Sequence, residues 1–279
     1  MNVYDIITER ILSKMEAGII PWRKPWVNME LPKNYLTKRE YRGINLFILN
    51  MAGHTSPYWL TFKQVKDCKG HVKMSEQATP IVYWTIIEKP DTDNTDIGKE
   101  PEKTPILRYY NVFNLDQTSG IQEPVSEREE SKPCERIILN MPQSPKILHG
   151  GNKAFYSVKE DYVKLPACGQ FEKLEFYYDV LFHELVHCTG HASRLNRPSL
   201  MDNNNFGSEI YGYEELTAEF GAAYLCGYAG IERQTLDNST SYLQSWKEKI
   251  QADKKLLIRA ASAAQKAVDF ILNRKGEQE

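Results

Sequence analysis

The sequence predicts an α+β protein, a mixed α/β N-terminal region followed by a largely helical C-terminal one. Three observations carry this. Two runs of β-branched and aromatic residues, IVYWTII (81–87) and ILRYYNVF (106–113), read as strands in the first half. Helical spacing of apolar residues dominates beyond residue 172. A polar, Pro-containing stretch, 119–137, lies between and reads as a linker. The expected division is therefore 1–118, a linker at 119–137, and 138–279.

The elements follow in order. Val3, Ile7, Ile11 and Met15 recur at i, i+4, so 3–17 is an amphipathic helix closed by Gly18 and Pro21. Residues 43–51 (GINLFILNM) read as a short buried helix, and Thr61 caps another that stops near Gly70. The polar segment from Lys89 to Lys103 joins the two strands as a long hairpin loop. Beyond the linker, 154–166 contains two candidate strands, and 172–189 is a helix with Leu174, Tyr178, Leu181, Leu185 and Cys188 on its apolar side. A second helix spans Tyr213 to Tyr228, and a third, long one covers Tyr242 to Asn273.

Composition narrows the function classes. With 35 Lys and Arg against 37 Asp and Glu, the chain is neither a basic nucleic-acid coat nor an acidic DNA mimic. The charge is uneven: residues 1–90 hold 13 cations and eight acids, a local +5, which leaves −7 for the rest. Five widely spaced cysteines without a CxxC suit reduced thiols in a cytoplasm. The N-terminus carries charges every few residues and is not a signal peptide, and no apolar run approaches the ~18 residues of a membrane span.

The strongest chemical signal is LFHELVHCTGH. On a helix, His183 and His187 stand one turn apart on the same face and can share one Zn²⁺, while Glu184 can reach a metal-held water as general base. A catalytic zinc wants a third protein ligand. His191 is one candidate, but Gly190 is expected to end the helix and carry it off the ligand face. The metzincin pattern would place a third histidine at Ser193 and therefore fails. Glu215 and Glu219, at i, i+4 on the next helix, are the better candidates, with Glu214 a rival ligand in a shifted register. Gly221, Ala222 and Ala223 would let that helix approach the HExxH helix closely. Tyr211, Tyr213 and His191 are candidates to polarise the scissile carbonyl.

Here the sequence resembles the gluzincins, whose downstream helix carries Glu-x-x-x-acid. The resemblance implies that Glu215 binds zinc and that Glu219 supports a ligand histidine. In the first region, Trp22, Arg23, Lys24, Trp26, Lys38, Arg39, Tyr41, Arg42, Trp59 and Lys63 interleave aromatics with cations, as in sites that stack bases and hold phosphates of single strands.

A wider resemblance covers nearly the whole chain. PKNYLTKREYRGIN, YWLTFKQV, PIVYW and RYYNVFNLDQ resemble the N-terminal domain of ArdC-type antirestriction proteins; AFYSVKEDYVKLP, HELVHCTGHASRLNR, EELTAEFGAAYL and AASAAQKAVDFIL resemble their metallopeptidase domain. Cys188 stands where the family commonly has tryptophan, which implies a packing change alone. The resemblance implies a single-stranded-DNA-binding domain joined to a gluzincin-like zinc metallopeptidase domain with a helical C-terminus, in a cytoplasmic protein of a mobile element. It implies one Zn²⁺, single-stranded DNA as partner, and an unidentified protein substrate such as a host restriction factor. Two readings compete with an active peptidase: a DNA-binding antirestriction protein with a structural or vestigial zinc site, and a small-molecule hydrolase. Glu184 speaks against the former, because a purely structural site needs no general base.

Overall fold

The computed structural model describes residues 2–23, 30–88, 103–124, 134–201, 209–231, 233 and 240–274. Helix α1 (Val3–Glu16) starts at a reciprocal cap between Asn2 and Asp5 and buries Ile7, Ile11 and Met15. Then come β1 (Lys33–Asn34), α2 (Ile44–Met51), β2 (Tyr58–Thr61) and α3 (Phe62–Asp67), the last opened by the Thr61 cap that the sequence predicts. β3 (His71–Val72), the long β4 (Thr79–Glu88) and β5 (Lys103–Asn114), and β6 (Thr118–Ser119) complete the first region. β4 and β5 pair antiparallel from Thr79↔Val112 to Glu88↔Lys103, the expected hairpin; its loop, 89–102, lies outside the described residues. The sheet order is β1-β2-β5-β4, and β3 pairs with β6.

The second region contains α4 (Cys134–Asn140), β7 (Lys146–His149), β8 (Phe155–Ser157), β9 (Tyr162–Leu165), α5 (Leu174–Thr189), the short α6 (Pro198–Met201), α7 (Glu209–Ala229), α8 (Thr240–Ala252) and α9 (Leu256–Ile271). The three strands form a sheet of order β7-β9-β8. Residues 119 and 134–137 of the expected linker belong to β6 and α4, and 125–133 lie outside the described residues.

The expected single helix from Tyr242 to Asn273 is two. The Asp253 carboxylate accepts the Lys255 N–H at 2.8 Å, a local bond that competes with the helical ladder and turns the chain between α8 and α9. The turn lets α8 pack beside α1 while α9 lays Ala260, Ala261, Ala264 and Ala267 against the interior. Leu174, expected on the apolar side of α5, is half exposed at the first turn.

One apolar core contains residues from both regions. Phe47 of α2 stacks on Tyr224 of α7 with ring centroids 5.0 Å apart and leans on Phe220 at 4.6 Å. The Gly43 N–H donates to Gln265 Oε1 of α9 at 3.0 Å, and Arg42 pairs with Asp269. α7 is thus enclosed by α5, α9 and the N-terminal region.

Candidate metal centre

α5 ends where the sequence expects: Gly190 is its C-cap. A Cβ at this position would lie 2.9 Å from the guanidinium of Arg197, so the small residue admits that side chain to the helix end. The next helix approaches just as closely. A Cβ on Gly221 of α7 would stand 2.5 Å from Val186 Cγ2 of α5. Glycine therefore sets the spacing between the two helices that carry the candidate ligands.

Across that seam three donors converge. His183 Nε2 and His187 Nε2 are 3.2 Å apart. Glu215 places Oε2 3.7 Å from the former and Oε1 3.6 Å from the latter. One donor atom from each of the three lies within 4.8 Å of the others. Two imidazoles and a carboxylate are the chemistry that zinc takes in catalytic sites. Glu184 is buried on the same helix. Burial opposes the charged form of His183, but Glu215, Glu219 and Glu184 outweigh it and push its pKa up to about 9. The same negative field favours a bound cation. The residues fit a metal ion.

The support of His187 differs from the expectation. Glu214, neither a ligand nor exposed, meets His187 Nδ1 at 3.2 Å. A carboxylate there accepts the Nδ1 proton and leaves Nε2 as the free donor atom facing His183. Glu214 is itself held by Arg197, whose Nη2 is 2.6 Å from Oε1 and whose Nε is 3.1 Å from Oε2, and by Ser199 Oγ at 2.6 Å. Arg197 also donates to Thr189 Oγ1 and the Val186 carbonyl, which binds the loop after α5 to the helix end. Burial disfavours the Glu214 anion, yet the bonds from His187 and Arg197 hold it well below the usual carboxylate range.

Glu219 does not take the role expected of it. Its Oε1 accepts from Arg23 at 2.8 Å, Oε2 from Arg233 at 3.2 Å, and the Tyr242 hydroxyl lies at 3.4 Å. Arg233 in turn binds Asp179 of α5 at 2.7 Å. Against the cost of burial, Arg233, His183 and Arg23 lower the pKa of Glu219 to about 2. The reason is rotation: on α7, Glu214 and Glu219 lie on different sides of Glu215, and only Glu214 faces His187.

Among the candidate carbonyl polarisers, Tyr213 turns towards α9, where its hydroxyl donates to the Arg259 carbonyl at 3.4 Å under that residue's guanidinium. His191 bonds Ser193 and is not among the converging donors. Tyr211 lies in α7, but its side chain is outside the described residues. Sequence reasoning missed Arg197 and Ser199, whose sole sequence signal is their proximity to the motif.

The candidate strand-binding residues divide. Trp22 and Trp59 are corrections: they are 1% and 2% exposed, Trp22 packs edge-on against Phe220 at 5.2 Å and Trp246 at 6.0 Å, and both are core. Arg23 and Arg42 are consumed by Glu219 and Asp269, and Tyr41 is half-buried against the core. Lys38 and Arg39 are exposed, and Lys24 and Trp26 lie outside the described residues. Exposed aromatics lie elsewhere: Phe62 on α3, Phe155 on β8 and, clustered on the hairpin, Tyr83, Trp84, Tyr109 and Tyr110. Pairing of Tyr83 with Arg108 and of Ile81 with Tyr110 puts Tyr83, Arg108 and Tyr110 on one face, where the two tyrosine rings are 5.4 Å apart.

Comparison with known proteins now bears on this arrangement. Residues 1–113 match the family model of the N-terminal domain of anti-restriction factor ArdC, and residues 135–263 match that of a zincin-like metallopeptidase. The crystal structure of the antirestriction ArdC protein from plasmid R388, in a metal-free form, superposes with a TM-score of 0.82 at 33% identity and 98% coverage of both chains. The chain belongs to the ArdC antirestriction family. An Mn(II)-bound structure of R388 ArdC gives a TM-score of 0.79 at 31% identity over the whole of both chains. Among curated relatives, a DNA primase TraC of Escherichia coli is 33% identical over 96% of this chain. This chain spans 27% of that relative's length and 20% of a second TraC. The uncharacterized protein y4eC of Sinorhizobium fredii is 29% identical and covered over 91% of its length. This chain thus joins an ArdC N-terminal domain to a zincin-like domain. No helix among the described residues is long and apolar enough to cross a membrane.

Proposed function

We propose that this ArdC-family protein binds single-stranded DNA without sequence preference and hydrolyses a peptide bond at a zinc site made by His183, His187 and Glu215. The convergence of those three donors beside Glu184 is the observation that carries the reading. Zinc held there supplies a Lewis acid and makes the attacking water more acidic. Glu184 accepts a proton from that water and returns it to the leaving amine. Glu214, braced by Arg197 and Ser199, keeps His187 oriented and in the tautomer that leaves Nε2 available. The Mn(II) in R388 ArdC supports a divalent metal, and two histidines of one helix with a glutamate of the next are a ligand set that catalytic zinc takes.

Strand binding is supported by the match to the ArdC N-terminal domain and by the exposed hairpin face of Tyr83, Arg108 and Tyr110, with Lys38 and Arg39 also exposed in the N-terminal region. The division at 119–137 is proposed as a division of labour, since the two regions share a core. The substrate is proposed to be a host protein of the restriction machinery and the setting a mobile element in a cytoplasm.

The test uses the full chain. Purified protein is expected to hold one zinc, His183→Ala or Glu215→Ala to lose it, and Glu184→Gln to keep it while losing cleavage of a casein substrate. Binding to a labelled oligonucleotide should fall with salt by about 0.7 in the log–log slope per phosphate contacted. Metal retained in both ligand variants would overturn the site. Metal-loaded protein that cleaves nothing in a peptide library, yet still shields DNA, would favour a structural zinc instead.

A further inference from the structure

A groove of about 1380 Å³ runs along the seam between the two regions, away from the three metal donors. One side is made by Tyr4 of α1 and Trp84 of β4, the other by α7, α8, α9 and the loop that follows α5. Five of its lining residues are cations, Arg197, Lys249, Lys255, Arg259 and Lys266, against two acids, Glu248 and Asp253, and Arg197 is taken up by Glu214. Asp253 meets Arg259 at 3.4 Å, whereas the three lysines make no ion pair among the described residues. Lys255, Arg259 and Lys266 follow one face of α9 at intervals of one and two turns, which spaces them by about 6 and 10 Å. Aromatic surface accompanies the charge. Trp84 is 44% exposed, Lys255 Nζ lies 5.7 Å from the centre of the Tyr4 ring, and the Arg259 guanidinium lies over Tyr213.

We infer that this groove is a second track for single-stranded DNA, in which Trp84 stacks on a base and Lys255, Arg259 and Lys266 face successive phosphates. The inference rests on the strand-binding reading above but places contacts in the region whose net charge argues against them. An acidic peptide would satisfy the lysines but has no planar ring for Trp84. A strand satisfies both, because every base has an aromatic face and every linkage a charge. Arg197 and Ser199 also line the groove, and both hold Glu214. An occupied groove therefore touches the loop that supports His187.

The experiment compares full-length proteins for binding of a fluorescent oligothymidine over a range of salt. Lys255→Glu/Arg259→Glu/Lys266→Glu should bind at least tenfold more weakly at low salt and lower the magnitude of the salt slope by about 2, as three lost phosphate contacts require. Trp84→Ala should weaken binding about fivefold or more. Both should keep the parent's zinc content and melting behaviour. Unchanged affinity and slope in the folded variants would overturn the groove. So would weakened binding of a polyglutamate peptide with oligonucleotide binding intact. If Tyr83→Ala/Arg108→Glu loses the strand while the groove variants do not, the groove alone falls and strand binding stands. If the parent does not bind at low salt, strand binding falls and takes the groove with it. Photo-cross-linking of an iodouracil-substituted oligonucleotide to the unmodified chain needs no variant to fold; adducts at Trp84 or Tyr213 are expected, and their absence beside efficient adducts elsewhere would refute the track.

Discussion

Replacing Glu214 by Gln isolates what this carboxylate does for the metal. The amide keeps the shape and one acceptor but removes the charge that faces His187 Nδ1, two nitrogens of Arg197 and Ser199 Oγ. Arg197 is buried, and its remaining partners are neutral oxygens of Thr189 and Val186. Leaving a buried partner without its counter-charge costs about 3–5 kcal/mol. Losing the carboxylate that orients a ligand histidine typically lowers metal affinity about 10- to 100-fold. Glu219→Gln is the matched control. It breaks a comparable buried network, with Arg23 and Arg233, but leaves the Glu214–His187 contact in place. Its expected signature is lost stability with a smaller loss of zinc affinity than in Glu214→Gln, since Glu219 reaches the ligand histidine His183 by charge alone and makes no hydrogen bond to it. Adding Arg197→Met to Glu214→Gln removes both buried charges, so stability should recover in part while zinc affinity does not. Competition against a chromophoric chelator reads the affinity, and thermal unfolding of the metal-free chains reads the stability. Parent-like zinc affinity in Glu214→Gln, with release in Glu219→Gln, would refute the assignment of Glu214.

Other outcomes follow from the packing. Gly221→Ala gains roughly 1 kcal/mol of helix propensity but drives a methyl into Val186, at a cost of about 1–3 kcal/mol. A net loss of about 1 kcal/mol is expected in thermal unfolding, relieved by Val186→Ala; a Gly221→Ala chain as stable as the parent contradicts the close approach. Trp22→Ala should cost about 3–5 kcal/mol as a core deletion. Trp22→Phe, which keeps most of the packing, should bind oligonucleotide like the parent, and a tenfold loss in that folded variant would return Trp22 to the DNA surface. Glu219 titrates below its ordinary value, near 2, so its ionised form stabilises the fold above about pH 4.5 and that contribution disappears as pH falls towards 2. Acid unfolding of the metal-free chain should flatten over this window in Glu219→Gln; an unchanged acid limb would show that the buried network carries none of it.

The part of the site legible in sequence is the part governed by helical period. His183 and His187 are neighbours on any helix, and Glu215 follows on a second helix whose Gly221 permits contact. The supporting carboxylate was not legible. Successive helix residues are separated by about 100°, so choosing between Glu214 and Glu219 requires the rotation of α7 about its axis, which tertiary packing sets. Trp22 failed as a base platform for a related reason. Its partners, Phe220 and Trp246, lie about 200 residues away in sequence. Exposure of Tyr83 and Trp84 was equally hidden, because an unbroken apolar strand reads as buried on both faces. The break between α8 and α9 rests on one side-chain bond from Asp253, too local to disturb an Ala- and Lys-rich helical pattern.

The stacking of Phe47 on Tyr224 has a bearing on descent. Related genes recombine, and a crossover in the polar stretch between the two regions would look harmless. It would nevertheless separate aromatic partners that fit one another ring against ring, and would strand Arg23 without Glu219 and Arg42 without Asp269. Hybrids between distant relatives would fold poorly unless these partners changed together. The two regions are therefore expected to be inherited as a single block, even where that block forms part of a much longer protein.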